Sequence, residues 1–255
     1  MKRALAIVAH PDDVEFYAAG TLLQLADAGY EIHFWNLADG CMGSKHLAAE
    51  PLRELRAAEA ARSARLAGAV LHPPIFRDMD IRYAPEGLAQ ATAVIRSVRP
   101  DILFTHCPRD YMEDHEAACR LAVSAAFARG MANFASQPDH AAVADPLRIY
   151  HLMPHSAIDY RGDPVRPDLL VDVESVWARK AALLACHESQ NQWLGASQGM
   201  ASMENEMRSW AQSLGAESGR FALAEGFIRH HHIGFCDPDF DPLLAALPAS
   251  AVIRL

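Results

Sequence analysis

The sequence predicts a single-domain α/β fold in which a mostly parallel sheet is sandwiched between layers of helices. Three observations predict it. Short β-branched and apolar runs alternate with longer segments of helical spacing, the order of βαβ units. The chain has 255 residues, a length that suits one undivided α/β domain, and 51% of them are hydrophobic, ample for one core. No Pro-, Gly- or Ser-rich stretch is long enough to link two domains, and no internal repeat or low-complexity tract interrupts the pattern.

The first strand is read over residues 3–9, where Ala4-Leu5-Ala6-Ile7-Val8 runs straight into a charged loop. Helical spacing over Ala18–Ala28 leads to a strand at 31–37, and Glu50–Leu66 leads to a short one at 69–71. Gly87–Ser97 precedes the strand 101–105, Asp-Ile-Leu-Phe-Thr. Glu116–Arg129 carries the chain to a strand at 148–153, and another is read at 169–173. Glu174–His187 and Ala201–Leu214 have helical spacing, and Phe221–Ile228 is also helix-like. Pro- and Asp-rich breaks at Ser136–Pro146 and Tyr160–Pro167 are loops, and Cys236–Pro242 opens a tail.

Composition narrows the partners. Mean hydropathy is close to zero and no apolar run is long enough to span a bilayer. The opening Met-Lys-Arg is followed by too short an apolar stretch for a signal peptide, which makes it the start of a strand. Five widely spaced cysteines without a Cys-x-x-Cys fit a reducing cytoplasm better than a disulfide framework. A net charge of −9, without a Lys/Arg cluster or aromatic ladder, argues against nucleic acid. Thirteen histidines favour metal or proton chemistry.

The chemistry concentrates in two loops. Ala9-His10-Pro11-Asp12-Asp13-Val14-Glu15-Phe16 crowds an imidazole and three carboxylates where the first strand ends. Like charges so close raise each other's cost of ionising, and a divalent cation is the simplest way to keep Asp12 and Asp13 both charged. Ligands of such sheets bind at the carboxyl ends of the strands. The loop is acidic where a dinucleotide fold would place Gly-x-Gly-x-x-Gly, and the chain has neither a phosphate-binding Gly-x-x-x-x-Gly-Lys-Ser/Thr nor a Gly-x-Ser-x-Gly elbow. The strand 101–105 ends at the same edge and runs into His106-Cys107-Pro108-Arg109-Asp110-Tyr111-Met112-Glu113-Asp114-His115. His10, Asp13 and His115 would then give three protein ligands and an open fourth position, the coordination of a catalytic zinc. Helix capping by Asp12 or Asp13 accounts for one carboxylate but not for His10.

These residues resemble the zinc-dependent N-deacetylases of the PIG-L/LmbE type. The resemblance rests on the Ala-His-Pro-Asp-Asp loop, on Arg56-Ala57-Ala58-Glu59-Ala60 with Leu66-Ala67-Gly68, on Pro100-Asp101, and on Asp114-His115. His187-Glu188-Ser189-Gln190 and Ala224-Glu225-Gly226-Phe227 extend it over nearly the whole chain. It implies a Rossmann-like three-layer sandwich, one Zn²⁺ per chain on His10, Asp13 and His115, and Asp12 as general base. The activity implied is removal of an acyl group, acetyl above all, from an amino sugar or its conjugate. One position departs: the family usually has His-x-Asp-His where this chain has Met112-Glu113-Asp114-His115, and Met112 can neither stabilise an oxyanion nor act as an acid. His230, His231 and His232 offer a replacement, with His231 as the expected catalytic residue.

Arg56 either binds a substrate hydroxyl or anion or pairs with Glu59 along a helix. Glu15 and His187 read as structural, and Asp237–Asp241 as a polar turn that lacks the glycine and glutamate of a calcium loop. His72, His106, His151 and His155 follow strands and are not ranked. Leu243–Leu247 and Val252–Leu255 are apolar enough to cover a neighbouring subunit, so a homo-oligomer is expected. Two other functions stay open: a metal enzyme of different reaction, either an Fe(II) oxygenase or a hydratase, and a binding protein with a vestigial site. Asp39–Glu50 and Ser136–Pro146 are the loops expected to shape the pocket.

Overall fold

The strands are so apolar that only a sheet covered on both faces can bury them. The computed structural model describes residues 1–198 and 202–253. β1 (Arg3–Val8), β2 (Glu31–Asn36), β3 (Val70–His72), β4 (Ile102–Thr105) and β5 (Arg148–Leu152) run parallel. β6 (Leu169–Asp172), β7 (Ala224–Arg229) and β8 (Ala251–Ile253) complete an eight-stranded sheet of order β3-β2-β1-β4-β5-β7-β6-β8, with antiparallel pairing from β5 outward. The helices are α1 (Asp13–Tyr17), α2 (Ala19–Asp27), α3 (Ala49–Ala67), α4 (Pro85–Val98), α5 (Glu113–Ala128), α6 (Trp177–Leu184), α7 (Glu188–Gln198), α8 (Met203–Ser218) and α9 (Pro242–Ala246).

Alternation along β1 builds both faces of the core. Ala4, Ala6 and Val8 pack with Leu22, Leu25, Phe34, Phe104 and Phe227 on one side. Leu5 and Ile7 pack with Trp35, Ile95 and Leu121 on the other, under α4 and α5. Three layers result, as the sequence predicts. Crossovers lead from β1 to β2 and β3 on one side and to β4 and β5 on the other, so the order reverses between β1 and β4. The loops leaving these two strands diverge and open a crevice at their carboxyl ends, the usual ligand position in an open α/β sheet.

Three expectations are corrected. Phe221–Ile228 is not helical: it contains most of β7, whose residues Ala224 to Phe227 are all buried. A strand buried on both faces carries no alternation, and periodicity alone does not separate it from a helix. Glu174–His187 divides into a 3₁₀ turn, Glu174–Val176, and α6. The tail covers its own chain: Leu243, Leu247 and Ala251 are buried in the core, and β8 pairs with β6, which removes the reason for placing these residues against another subunit. Ala201, Arg254 and Leu255, named in the expected helix and tail, lie outside the described residues. No helix among the described residues is long and apolar enough to cross a membrane.

The interior also holds a buried ion pair that fixes the loop after β1. Glu225 of β7 accepts from the Gly20 and Thr21 N–H groups at 2.8 and 2.7 Å and pairs with Lys180 of α6. Lys180 Nζ in turn donates to the Phe16 carbonyl at 2.7 Å. Removing one partner of such a pair leaves an uncompensated charge, so Lys180→Ala is expected to lower the urea unfolding free energy by about 3–5 kcal/mol. The paired replacement Lys180→Met with Glu225→Gln is expected to cost less than Lys180→Ala. A loss for Lys180→Ala within the ordinary surface range of about 0.5 kcal/mol would contradict this role.

Candidate active site

The geometry of the first loop begins with its backbone. The His10 N–H donates to Asp13 Oδ2 at 2.7 Å, which folds the loop back on the end of β1. Asp12 then takes φ 110° and ψ −22°, a left-handed conformation that costs a non-glycine residue about 1–3 kcal/mol. Arg56 of α3 holds it there. Its guanidinium donates to the Pro11 carbonyl and, at 3.3 Å, to the Gly40 carbonyl, and it lies 3.4 Å from Asp12 Oδ2. Gly40 has φ 76°, and a Cβ on it would stand 2.7 Å from Arg56 Cδ and Nε, so only glycine lets the arginine through. The consequence is divergence of two consecutive carboxylates: Asp12 faces Arg56 and the crevice, and Asp13 faces the imidazoles.

Three histidines converge on Asp13. His10 Nδ1 is 3.5 Å from Asp13 Oδ2, His115 Nε2 is 3.6 Å from Oδ1, and His106 Nε2 is 3.1 Å from Oδ2. The far nitrogen of each outer ring meets a carboxylate: His10 Nε2 lies 3.0 Å from Asp114 Oδ2, and His115 Nδ1 lies 3.1 Å from Asp110 Oδ1. Those carboxylates fix the rings so that His10 Nδ1 and His115 Nε2 face Asp13, the two nitrogens that a cation between them would engage once His10 has given up its proton. Asp114 is itself held by the Met79 N–H at 2.7 Å. His106 stacks on His115 with centroids 3.8 Å apart.

The charges follow from this crowding. Burial alone would raise Asp13, but His115 and His106 override it and hold the carboxyl well below the usual range. Burial alone would lower His10, yet its hydrogen bonds to Asp114 and Asp13 hold it up at about 10. Burial pushes Asp12 up to about 6, with Arg56 opposing. Burial keeps His106 below its ordinary value.

The ligating atoms of His10, Asp13 and His115 lie within 4.8 Å of one another, as do those of His106, Asp110 and His115. Only the first set lines an open cavity of about 600 Å³. Two imidazole nitrogens and a carboxylate, each ring backed by an acid, fit a divalent cation with an open coordination position. Asp12 borders the same cavity, and the walls are apolar and aromatic, with Phe16, Tyr17, Tyr111 and Trp193 and the methionines Met42, Met79, Met112 and Met203.

The structure thus brings together His10, Asp12, Asp13 and His115. It does not bring His231, which is exposed and packs on His232 with centroids 4.6 Å apart. The reason is topological: β7 is antiparallel to β5 and pairs Arg229 with Tyr150, so the chain beyond it runs toward the beginning of β5, away from the carboxyl ends of the parallel strands. His230 instead bonds His151 at 2.8 Å. Arg56, expected as a substrate group, is 2% exposed, supports Asp12 and does not line the cavity. Glu59 turns away from it to accept from Ser189 N and Oγ at 2.9 and 2.6 Å. Glu15 meets His187 at 3.1 Å, buried, and His155 lines the cavity. Sequence reasoning missed Asp110 as the acid behind His115, and Tyr17, Tyr111, Gln190 and Trp193 as cavity walls. Asp110 had a signal, five residues before a proposed ligand in an acidic run, and Tyr111 and Gln190 stand inside stretches singled out above; Tyr17 and Trp193 had none.

The family model for PIG-L, GlcNAc-PI de-N-acetylase, matches residues 5–127, the span that carries all four residues of the site. A diacetylchitobiose deacetylase of Thermococcus kodakarensis is 30% identical over 196 residues, covering 74% of this chain and 70% of the relative. The chain belongs to the PIG-L family. Its relatives include a 4-oxalmesaconate hydratase of Pseudomonas putida, 27% identical over 197 residues and covering 74% of each chain. The solved 4-carboxy-2-hydroxymuconate hydratase of Pseudomonas putida shares the fold at a TM-score of 0.77 and 23% identity, over 91% of this chain and 97% of the other. Proteins similar to this chain therefore carry more than one reaction, and the shared fold alone does not choose between them.

The orienting acids give a test. Asp110→Asn and Asp114→Asn are each expected to weaken metal affinity by about 10–100-fold, read by competition with a chelator. Affinities equal to the parent protein's would show that the histidines are oriented by something else.

Proposed function

We propose that the protein is a zinc-dependent amidase that removes an acyl group, acetyl above all, from the nitrogen of an amino sugar or its conjugate. The observation that carries this reading is the charge of the cavity. Asp12, Asp13 and Asp78 line it, and no Lys or Arg stands among its described lining residues, because Arg56 is spent behind Asp12. Such a wall suits an uncharged substrate such as an N-acyl sugar. A hydratase acting on a carboxy-bearing acid would have to bring that anion against these carboxylates with no Lys or Arg to receive it, leaving only His10 and the bound cation for the task.

His10, Asp13 and His115 would hold the zinc, which in such a donor set lowers the pKa of a water to about 7 and polarises a carbonyl. Asp12 has the remaining task. Its carboxylate takes a proton from the attacking water as the new C–O bond forms at the amide carbon. When the C–N bond breaks, Asp12 returns that proton to the departing nitrogen, and the products are an amine and a carboxylic acid, which gives its own proton to solvent as it ionises. The left-handed backbone of Asp12 supports this role, since it turns the side chain out of the ligand set while leaving it next to Asp13. Arg56 keeps the carboxylate in place as the proton comes and goes.

Met112 offers no proton, and the donors beside it are phenolic. Tyr17 and Tyr111 both line the cavity, and each ring stands edge-on to His115, with centroids 6.4 and 5.6 Å away. Burial raises Tyr17 well above the ordinary phenol value, reinforced by the charges of Tyr111, Asp13 and Asp110, so it stays a donor at neutral pH. We assign the oxyanion hydrogen bond to this pair in place of His231.

Amine release from N-acetylglucosamine conjugates tests the reading. Asp12→Asn is expected to lower kcat by at least about 10²-fold while metal content stays at that of the parent. Tyr111→Phe is expected to lower kcat by about 10-fold or more with KM little changed. Full activity of Asp12→Asn would exclude it as the base, and hydration of an unsaturated acid in place of amine release would transfer the protein to the hydratases.

A further inference from the structure

The three histidines after β7 do not reach the crevice, but they meet a fourth. The ladder between β5 and β7 continues past Arg229, with the His230 N–H donating to the Ile149 carbonyl at 3.0 Å. That bond sets His230 beside His151, a buried imidazole on β5. His151 Nδ1 lies 2.8 Å from the His106 carbonyl, and a carbonyl only accepts, so the proton of the neutral ring sits on Nδ1 and Nε2 keeps its lone pair. A ring whose proton is held by a carbonyl while its other nitrogen stays free is the usual orientation of a metal-ligating histidine. His151 Nε2 points at His230 Nδ1, 2.8 Å away, which supplies the proton between them. Burial holds His151 down at about 4 and keeps His230 below its ordinary value, with the charge of His231 adding to the second effect. Both rings are therefore neutral at neutral pH, the form that binds metals. If His230 carries its proton on Nε2 instead of Nδ1, the charge is unchanged and two lone pairs face each other. Two nitrogens held by one cation at about 2.0–2.1 Å in a tetrahedral arrangement stand about 3.3 Å apart, so the pair has to open by only about half an ångström. His231 is exposed, and a ring in that position turns on its Cβ without hindrance.

We propose that His151 Nε2, His230 Nδ1 and the ring of His231 form a second metal site, separate from the crevice, for a divalent cation of the kind imidazoles prefer, copper(II) first among them. None of the three lines the catalytic cavity, so the site stands independently of the amidase reading. A cation there ties β5 to the chain leaving β7, at the seam where the sheet changes from parallel to antiparallel, and braces the folded state as any ligand of the native form does. Electron paramagnetic resonance of the untagged His115→Ala chain with one equivalent of copper(II) tests the site, because that substitution removes a ligand from the crevice. Nitrogen splitting from at least two imidazoles is expected, together with a rise in Tm. His230→Ala and His231→Ala, each added to His115→Ala, are expected to lower copper affinity at least about 10-fold, a loss of about 1.4 kcal/mol, and to remove the rise in Tm. His230 is half-buried and His231 exposed, so both variants are expected to fold, as circular dichroism without metal would show. Absence of nitrogen splitting in His115→Ala, an affinity that either further substitution leaves unchanged, or copper that is lost only with His10→Ala overturns the site.

Discussion

The carboxylate of Asp13 is the point on which the rest of the site depends. It is buried, it accepts the His10 N–H, and three imidazoles approach it within 3.6 Å. An anion so placed would be costly in an apolar interior unless positive charge or a cation met it. The fold provides both the burial and the partners, because β1 and β4 are neighbours at the reversal of strand order and deliver their loops to one crevice. Asp110 and Asp114 add a further layer by fixing the rings, and Lys180 with Glu225 ties the helices after the first loop to β7. The spread of the motif residues along the chain follows from this arrangement: each supports the same few atoms from a different element.

Asp12 shows how the arrangement becomes chemical. Two adjacent carboxylates in a strand would face opposite sides of the sheet, and only one of them would reach the crevice. Here the left-handed residue separates them, and Arg56 and Gly40 sustain the strain from outside the cavity. In the proposed reaction a metal ligand and a proton carrier thus stand one residue apart with opposite surroundings. Asp13 is held low by imidazoles, whereas burial raises Asp12 toward the pH range in which a carboxyl both accepts and donates a proton.

Much of this was legible in the residues. The parallel half of the sheet follows from the apolar runs of β1, β2, β4 and β5, and the site from an acidic loop after β1 paired with Asp114-His115 after β4. The antiparallel half was less legible, because β7 is buried on both faces and β8 has only three residues. That single error carried His231 into the expected site: a helix before the three histidines left their position free, whereas an antiparallel strand takes them to the opposite edge of the sheet. Arg56 was visible as a charged residue but not as a buried one, since nothing in the spacing of α3 shows that a guanidinium threads past Gly40. The cavity walls were invisible for a different reason. Tyr17, Tyr111, Gln190 and Trp193 meet only through tertiary packing, with no common spacing in the chain.

The most direct test of the account is anomalous diffraction at the zinc absorption edge from crystals of the zinc-loaded protein. One strong peak per chain is expected in the crevice, bounded by His10 Nδ1, a carboxylate oxygen of Asp13 and His115 Nε2, each at about 2.0–2.2 Å. A peak held instead by His106, Asp110 and His115, or no peak within reach of Asp13, would contradict it.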